Sequence, residues 1–183
     1  WDALICTSHA SKLVVEGFLD RQEAWLKKRL EAKKFERPQL PVIPLGIHPE
    51  MWEQPEKNLS KSRCKSRSHL GIPLDSLVVL MTGRMDMLTK LHPGTSFRVL
   101  NELHKSYPNL RVLIYGEAPN EEHLKHWYKG VQQIAPDLPI HWIPGSKKNL
   151  ARTVRWAADL FLSLVDNPQE TFGITPLEAM SAS

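Results

Sequence analysis

Four short apolar runs, Leu77–Met81, Leu110–Tyr115, Ile140–Ile143 and Leu160–Val165, constrain the fold of this chain more than any other feature. Each has the length and the near-absence of charge expected of a buried strand. The stretches between them have helical spacing. Ser96–Ser106 carries Phe97, Leu100 and Leu103, and Glu121–Ala135 carries Leu124, Trp127, Tyr128, Val131 and Ile134 on one stripe. A third stretch, expected to be capped by Ser146, turns Leu150, Val154 and Ala157 inward. Strands that alternate with helices, with few polar interruptions, predict a parallel sheet covered by helices on both faces.

Each run is followed at once by a polar loop marked by glycine or proline: Gly83-Arg84, Gly116-Glu117, Pro144-Gly145-Ser146-Lys147, and Asp166 to Gly173. In a parallel sheet these loops leave from the same edge, the carboxyl one, where open α/β sheets bind ligands. The first loop offers a fixed guanidinium at Arg84 and a flexible ammonium at Lys90, a pairing suited to a diphosphate leaving group. Gly116 is read either as a strand-ending turn or as a close approach to a ligand. The last loop holds Glu170 and Phe172-Gly173-Ile174, and Gly173 allows a ligand near the backbone. A helix then restarts at Thr175-Pro176-Leu177-Glu178, where free N–H groups and the helix dipole favour an anion. That tetrapeptide also has the form of a capping box, which would occupy Glu178 without any ligand.

The amino-terminal part reads differently. Asp2–Thr7 is expected to be a strand, with Ser8 capping a helix that carries Leu13, Val14, Phe18 and Leu19. A second, heavily charged helix is expected from Arg21 to about Lys34. Pro38, Pro41, Pro44 and Pro49 then enforce an extended connection in which a domain junction belongs. The expected organisation is an amino-terminal domain tail over 1–40, a linker over 41–56, and an incomplete Rossmann-like domain over 57–183. A short helix is expected within the basic segment at 57–69.

The net charge of +4 is concentrated in Lys27–Arg37 and Lys57–Arg67. Two solvated faces account for these runs; the sharper reading is attraction to an anionic membrane surface. They lack the interleaved aromatics of a nucleic-acid surface, so nucleic acid is not an expected partner. Cys6 and Cys64 are far apart and form no metal-ligand spacing, which fits a reducing cytosol. No stretch reaches the ~18 apolar residues of a membrane span. His123 and His126 lie on a charged helix face, and no Asp-x-Asp occurs to mount a divalent ion on a diphosphate. Neither a metal nor a cofactor is expected.

The string from Glu170 through Phe172, Gly173, Leu177, Glu178, Ala179 and Met180 resembles, position by position, the signature of the retaining GT-B glycosyltransferases known as group 1. Val42–Ile47 resembles the string that joins the two domains in that family. The resemblance implies a GT-B fold, of which this chain would hold the linker and most of the carboxyl-terminal, donor-binding domain. It implies transfer of a sugar from a nucleotide-diphosphate sugar to a sugar or lipid-linked acceptor, with retention, in the cytoplasm or at its membrane surface. Catalytic roles would fall to Glu170, Arg84 and Lys90, and donor binding to Gly83, Gly116, Phe172, Gly173, Ile174 and Glu178. Glu178 would bond the nucleotide ribose, and Glu170 would lie by the reacting carbon. The spacing from Arg84 to Lys90 is one residue longer than in many members, and Leu91 stands where they have glycine. Ala118 likewise departs from a Gly-x-Gly turn. On this reading the 183 residues alone would not transfer sugar. The rival expectations are a non-catalytic nucleotide-sugar-binding protein and a GT-B-like epimerase or phosphorylase.

Overall fold

The computed structural model describes residues 2–53, 58–86, 90, 92, 94–164 and 172–182. The chain divides into two compact units, residues 1–46 with 168–174, and residues 47–167 with 175–183.

In the smaller unit, two extended segments run parallel. Single bridges join Ala3 to Gln39 and Cys6 to Val42, so the expected strand at Asp2–Thr7 is present only as these isolated pairings. One helix, α1 (His9–Leu30), connects them. Ser8 caps it as expected: its hydroxyl accepts from the Ser11 amide at 3.1 Å, and Ser11 returns the bond to the Ser8 amide. Two helices were expected here, and the structure has one. Nothing between Leu19 and Arg21 breaks a helix, and i,i+4 pairs on either side, Lys12–Glu16 and Lys27–Glu23, support its continuation. Arg37 in the return segment binds Asp20 at 2.7 Å and also pairs with Glu23. The helix ends at Leu30, where Glu31 adopts a left-handed cap.

The larger unit opens with a single 3-10 turn, Pro49–Met51. Helix α2 (Leu59–Leu70) follows, capped by Asn58 and stopped at Gly71. The chain then alternates: β1 (Leu77–Thr82), α3 (Gly94–Ser106), β2 (Leu110–Gly116), α4 (Glu121–Ile134), β3 (Ile140–Pro144), α5 (Ala151–Ala157), β4 (Leu160–Phe161) and α6 (Thr175–Ser181). The strands form one parallel sheet in the order β3-β2-β1-β4.

Alternation along the strands divides the core in two. Val79, Met81, Val112 and Ile114 pack with Phe97 and Leu100 of α3 and with Trp127 and Val131 of α4. Val78, Leu80 and Leu113 face the other way, against Ile72, Val154 and Ala157. Phe97 meets Trp127 edge to face, 5.4 Å between centroids. Burial of both faces is the reason the strand sequences read as unbroken apolar runs.

Three local expectations change. The fourth strand covers Leu160–Phe161, so the expected strand stops short of Leu162–Leu164, and Val165 lies outside the described residues. Leu162 still donates to the Leu80 carbonyl at 2.8 Å, but Leu164 is 61% exposed. An apolar run becomes a strand only where a neighbouring backbone is there to pair with it. Ser146 does not cap α5, which is entered through a 3-10 turn at Lys148–Leu150 without a side-chain cap. The basic segment forms the expected helix, yet its inward face is polar. Ser62, Ser66 and Arg67 are buried in place of the solvated face expected there. Arg67 donates to the carbonyls of Ala157 and Leu74, each at 2.9 Å, and to the Asp159 carboxylate.

Candidate functional site

The strand order sets the place of the site. The chain moves outward from β1 through β2 to β3, then returns to pair β4 on the opposite side of β1. Ligands of open α/β sheets bind outside the carboxyl ends of the strands at such a reversal, here between β1 and β4.

The loop after β1 begins as an extension of the sheet. Gly83 donates to the Tyr115 carbonyl at 3.2 Å and Met85 to the Glu117 carbonyl at 2.9 Å. Met85 is fully buried and anchors the loop, while the adjacent Arg84 is exposed. Lys90, half-buried further along, is held below the ordinary lysine range by burial and then by the positive charge of Arg84. The structure therefore brings the two expected cations into electrostatic reach of each other.

Gly116 stands where three loops cross. A Cβ built on it would lie 1.8 Å from the Gly83 carbonyl oxygen, so only glycine lets the loop after β1 pass. Its own carbonyl accepts from Gly145 N at 3.1 Å and from Trp142 Nε1 at 3.0 Å. The Tyr115 hydroxyl donates to the Gly145 carbonyl at 3.1 Å, and the Glu117 carboxylate accepts from the Ser146 amide. Ser146, expected as a helix cap, is thus used to fasten one loop to another. A methyl group at 116 must displace backbone, and overpacking of this kind costs about 1–3 kcal/mol. Gly116→Ala is expected to lower stability by that amount in denaturant unfolding. An unchanged midpoint would show that the loops tolerate the displacement.

Glu178 lies in the first turn of α6, but its carboxylate does not close a capping box. It accepts from Arg155 Nη2, and the two side chains are only 14% and 4% exposed. The Arg155 guanidinium lies 4.2 Å from the centre of the Trp52 ring and 6.0 Å from that of Tyr115. Burial lowers the pKa of Arg155, while Glu178 opposes the shift. The Tyr115 phenol is pushed up chiefly by burial, with Arg155 lowering it and Glu117 and Glu178 raising it. These groups therefore occupy one neighbourhood at the carboxyl end of β2.

Among the remaining expected residues, Glu170 lies outside the described residues. Phe172, Gly173 and Ile174 belong to the smaller unit, where Gly173 has φ 73°, the left-handed conformation that favours glycine. Trp52 and Arg155 were not expected. Arg155 is one position past Val154, a rotation of about 100° that takes it off the stripe of Leu150, Val154 and Ala157, so helical periodicity gave no signal for its burial. Among the described residues no group of three His, Cys, Asp or Glu is placed to hold a metal ion, and no helix is long and apolar enough to cross a membrane.

An open parallel α/β sheet covered by helices on both faces, with Arg84 and Lys90 on the loop from the carboxyl end of β1, defines a Rossmann-like domain. The chain belongs to the glycosyl transferases group 1 family, whose match spans residues 62–183. No curated protein matches it. Among solved structures it is similar to Anabaena HepE in complex with UDP and glucose, at 17% identity and TM-score 0.65, covering 99% of this chain and 42% of that one. It is similar also to WaaG, a glycosyltransferase involved in lipopolysaccharide biosynthesis, at 20% identity and TM-score 0.58, covering 98% and 42%. A third is the C-terminal domain of the group 1 protein LpcC from Francisella tularensis, at 20% identity and TM-score 0.53, covering 75% and 67%. At these identities the likeness is one of fold, that of GT-B glycosyltransferases. The chain spans less than half the length of HepE and of WaaG.

Proposed function

We propose that this chain is the donor-binding part of a glycosyltransferase that moves a sugar from a nucleotide-diphosphate sugar to a sugar or lipid-linked acceptor, with retention and without a metal ion. The observation that carries the reading is that Arg84 and Lys90 lie on the one loop leaving the carboxyl end of β1, within electrostatic reach of each other. Two cations on one loop suit a diphosphate, whose charge both could meet. The same charges would stabilise the leaving group as the glycosidic bond breaks, which is work a divalent ion can also do. HepE, the similar structure with UDP and glucose bound, supports a nucleoside diphosphate as the leaving group.

In this reading Glu178 receives the ribose hydroxyls, Gly83 and Gly116 shape the floor, and Phe172–Ile174 offer backbone amides to the sugar. Glu170 acts near the reacting carbon. Residues 1–40 are the tail of an acceptor domain and 41–56 the linker, and the protein works in the cytoplasm or at its membrane face.

The test is transfer by the intact protein in excess EDTA, from a panel of nucleotide sugars, with the product anomer read from proton NMR coupling. Full activity in chelator and an anomer matching the donor are expected. Loss of activity in EDTA would overturn the metal-free reading, and an inverted anomer would overturn retention. Tight binding of a nucleoside diphosphate without any transfer would favour a non-catalytic binding protein.

A further inference from the structure

Arg67 and Arg155 are both buried arginines, and their surroundings differ in a telling way. Arg67 gives its donors to two backbone carbonyls and a carboxylate on separate elements, which is a structural role. Arg155 gives Nη1 to the Ala151 carbonyl, 2.7 Å away in its own helix, and its buried Nε has no hydrogen-bond partner. Among the described residues, its one hydrogen bond to another element is to Glu178. A buried cation with an orphaned donor is a poor way to hold a fold together.

The guanidinium is packed against an aromatic ring at this contact. The Trp52 ring covers one face at 4.2 Å, and Trp52 is itself fixed by the Trp156 indole, which donates to its carbonyl at 3.0 Å. Glu178 is gripped through a single oxygen, Oε2, and makes no other hydrogen bond among the described residues. Its side chain keeps 14% exposure, and its second oxygen carries no hydrogen bond among the described residues. A carboxylate tethered by one oxygen and presenting the other is preorganised to accept from a hydroxyl.

We propose that Arg155 is a positioning residue, which holds Glu178 by one oxygen so that the other meets the ribose hydroxyls of the donor. This rests on the ribose-binding role given to Glu178 above. Arg155 itself touches no part of the donor.

The test measures affinity of the intact protein by calorimetry for a nucleoside diphosphate and for its 2′,3′-dideoxy counterpart, using whichever of UDP, ADP and GDP binds tightest. Wild type is expected to prefer the ribose form by about tenfold or more, the effect of a hydrogen bond to a charged group. Glu178→Gln and Arg155→Met should both collapse that ratio toward one, with affinity for the dideoxy form held within about threefold. Arg155→Lys, which keeps the charge but not the planar fork, should restore part of it. A ratio near one in wild type, or a ratio that survives Glu178→Gln, would refute ribose binding by Glu178 and remove the basis of the proposal. A ratio lost in Glu178→Gln but intact in Arg155→Met would refute the positioning role alone. An equal loss of affinity for both forms in Arg155→Met would make Arg155 merely structural. Should Arg155→Met fail to fold, Arg155→Lys carries the test, and a wild-type ratio in that variant overturns the proposal.

Discussion

Replacing Arg84 with alanine in the intact protein is expected to lower turnover at saturating donor by ~10²–10³-fold. On the proposed function the loss should fall on turnover, because the charge that Arg84 would meet grows only as the diphosphate leaves. Affinity for the donor should fall less. Stability should change by no more than about 0.5 kcal/mol, since Arg84 is exposed and its loop is anchored by the buried neighbour Met85. That separation is what distinguishes a site residue from a loop-forming one. Arg84→Lys should recover only part of the rate, because a point charge cannot make the two parallel bonds of a guanidinium. Single-turnover kinetics on both variants, beside a thermal melt, would check this. A rate within threefold of wild type for Arg84→Ala would remove Arg84 from the mechanism.

The second large effect is expected at Asp159, which belongs to the frame and not to the site. Its carboxylate accepts from the buried Arg67, from the Val78 amide at 2.7 Å, and from Arg63 at 3.2 Å. Its own amide donates to the Val78 carbonyl at 2.9 Å. One side chain thereby joins α2, the start of β1 and the turn into β4. Asp159→Ala strands a guanidinium whose side chain is 5% exposed. Breaking a buried pair in this way costs about 3–5 kcal/mol. For a domain whose whole stability is ~5–15 kcal/mol that is a large share. Urea unfolding should show a midpoint shifted by that amount at constant slope, and a shift below about 1 kcal/mol would show that the three elements are held by other contacts. Arg67→Met combined with Asp159→Leu should be milder than Asp159→Ala, because no uncompensated charge is left buried.

These two residues were not equally visible beforehand. Arg84 could be singled out because it directly follows an apolar run and a glycine, and a charge there must lie on a loop at the sheet's carboxyl edge. Asp159 also borders an apolar run, on its amino-terminal side, and gave no such signal. Its partners are Arg67, ninety-two positions away, and the backbone of Val78. The basic run around Arg67 read as solvent-facing because charge patterning reports composition, and composition carries no information about a carboxylate on another element. Gly116 could be read as a turn or as a ligand contact, and the structure adds a third role, the passage of the Gly83 backbone.

What the sequence determined by itself was the alternation of strand and helix, the parallel sheet with both faces covered, and the edge at which the unusual loops gather. Those properties follow from local periodicity, and each strand and helix carries its own pattern. The string around Glu178 was legible for the same reason, since it is contiguous. What only the tertiary structure decided was pairing: how far β4 runs along β1, whether α1 is one helix or two, and which partner takes each charged side chain. Glu178 had a capping box available three positions after Thr175, and instead took Arg155. That choice depends on Trp52, Tyr115 and Arg155 arriving from three separate parts of the chain to form a place with little water, where an unpaired guanidinium is costly and the nearest carboxylate is drawn in.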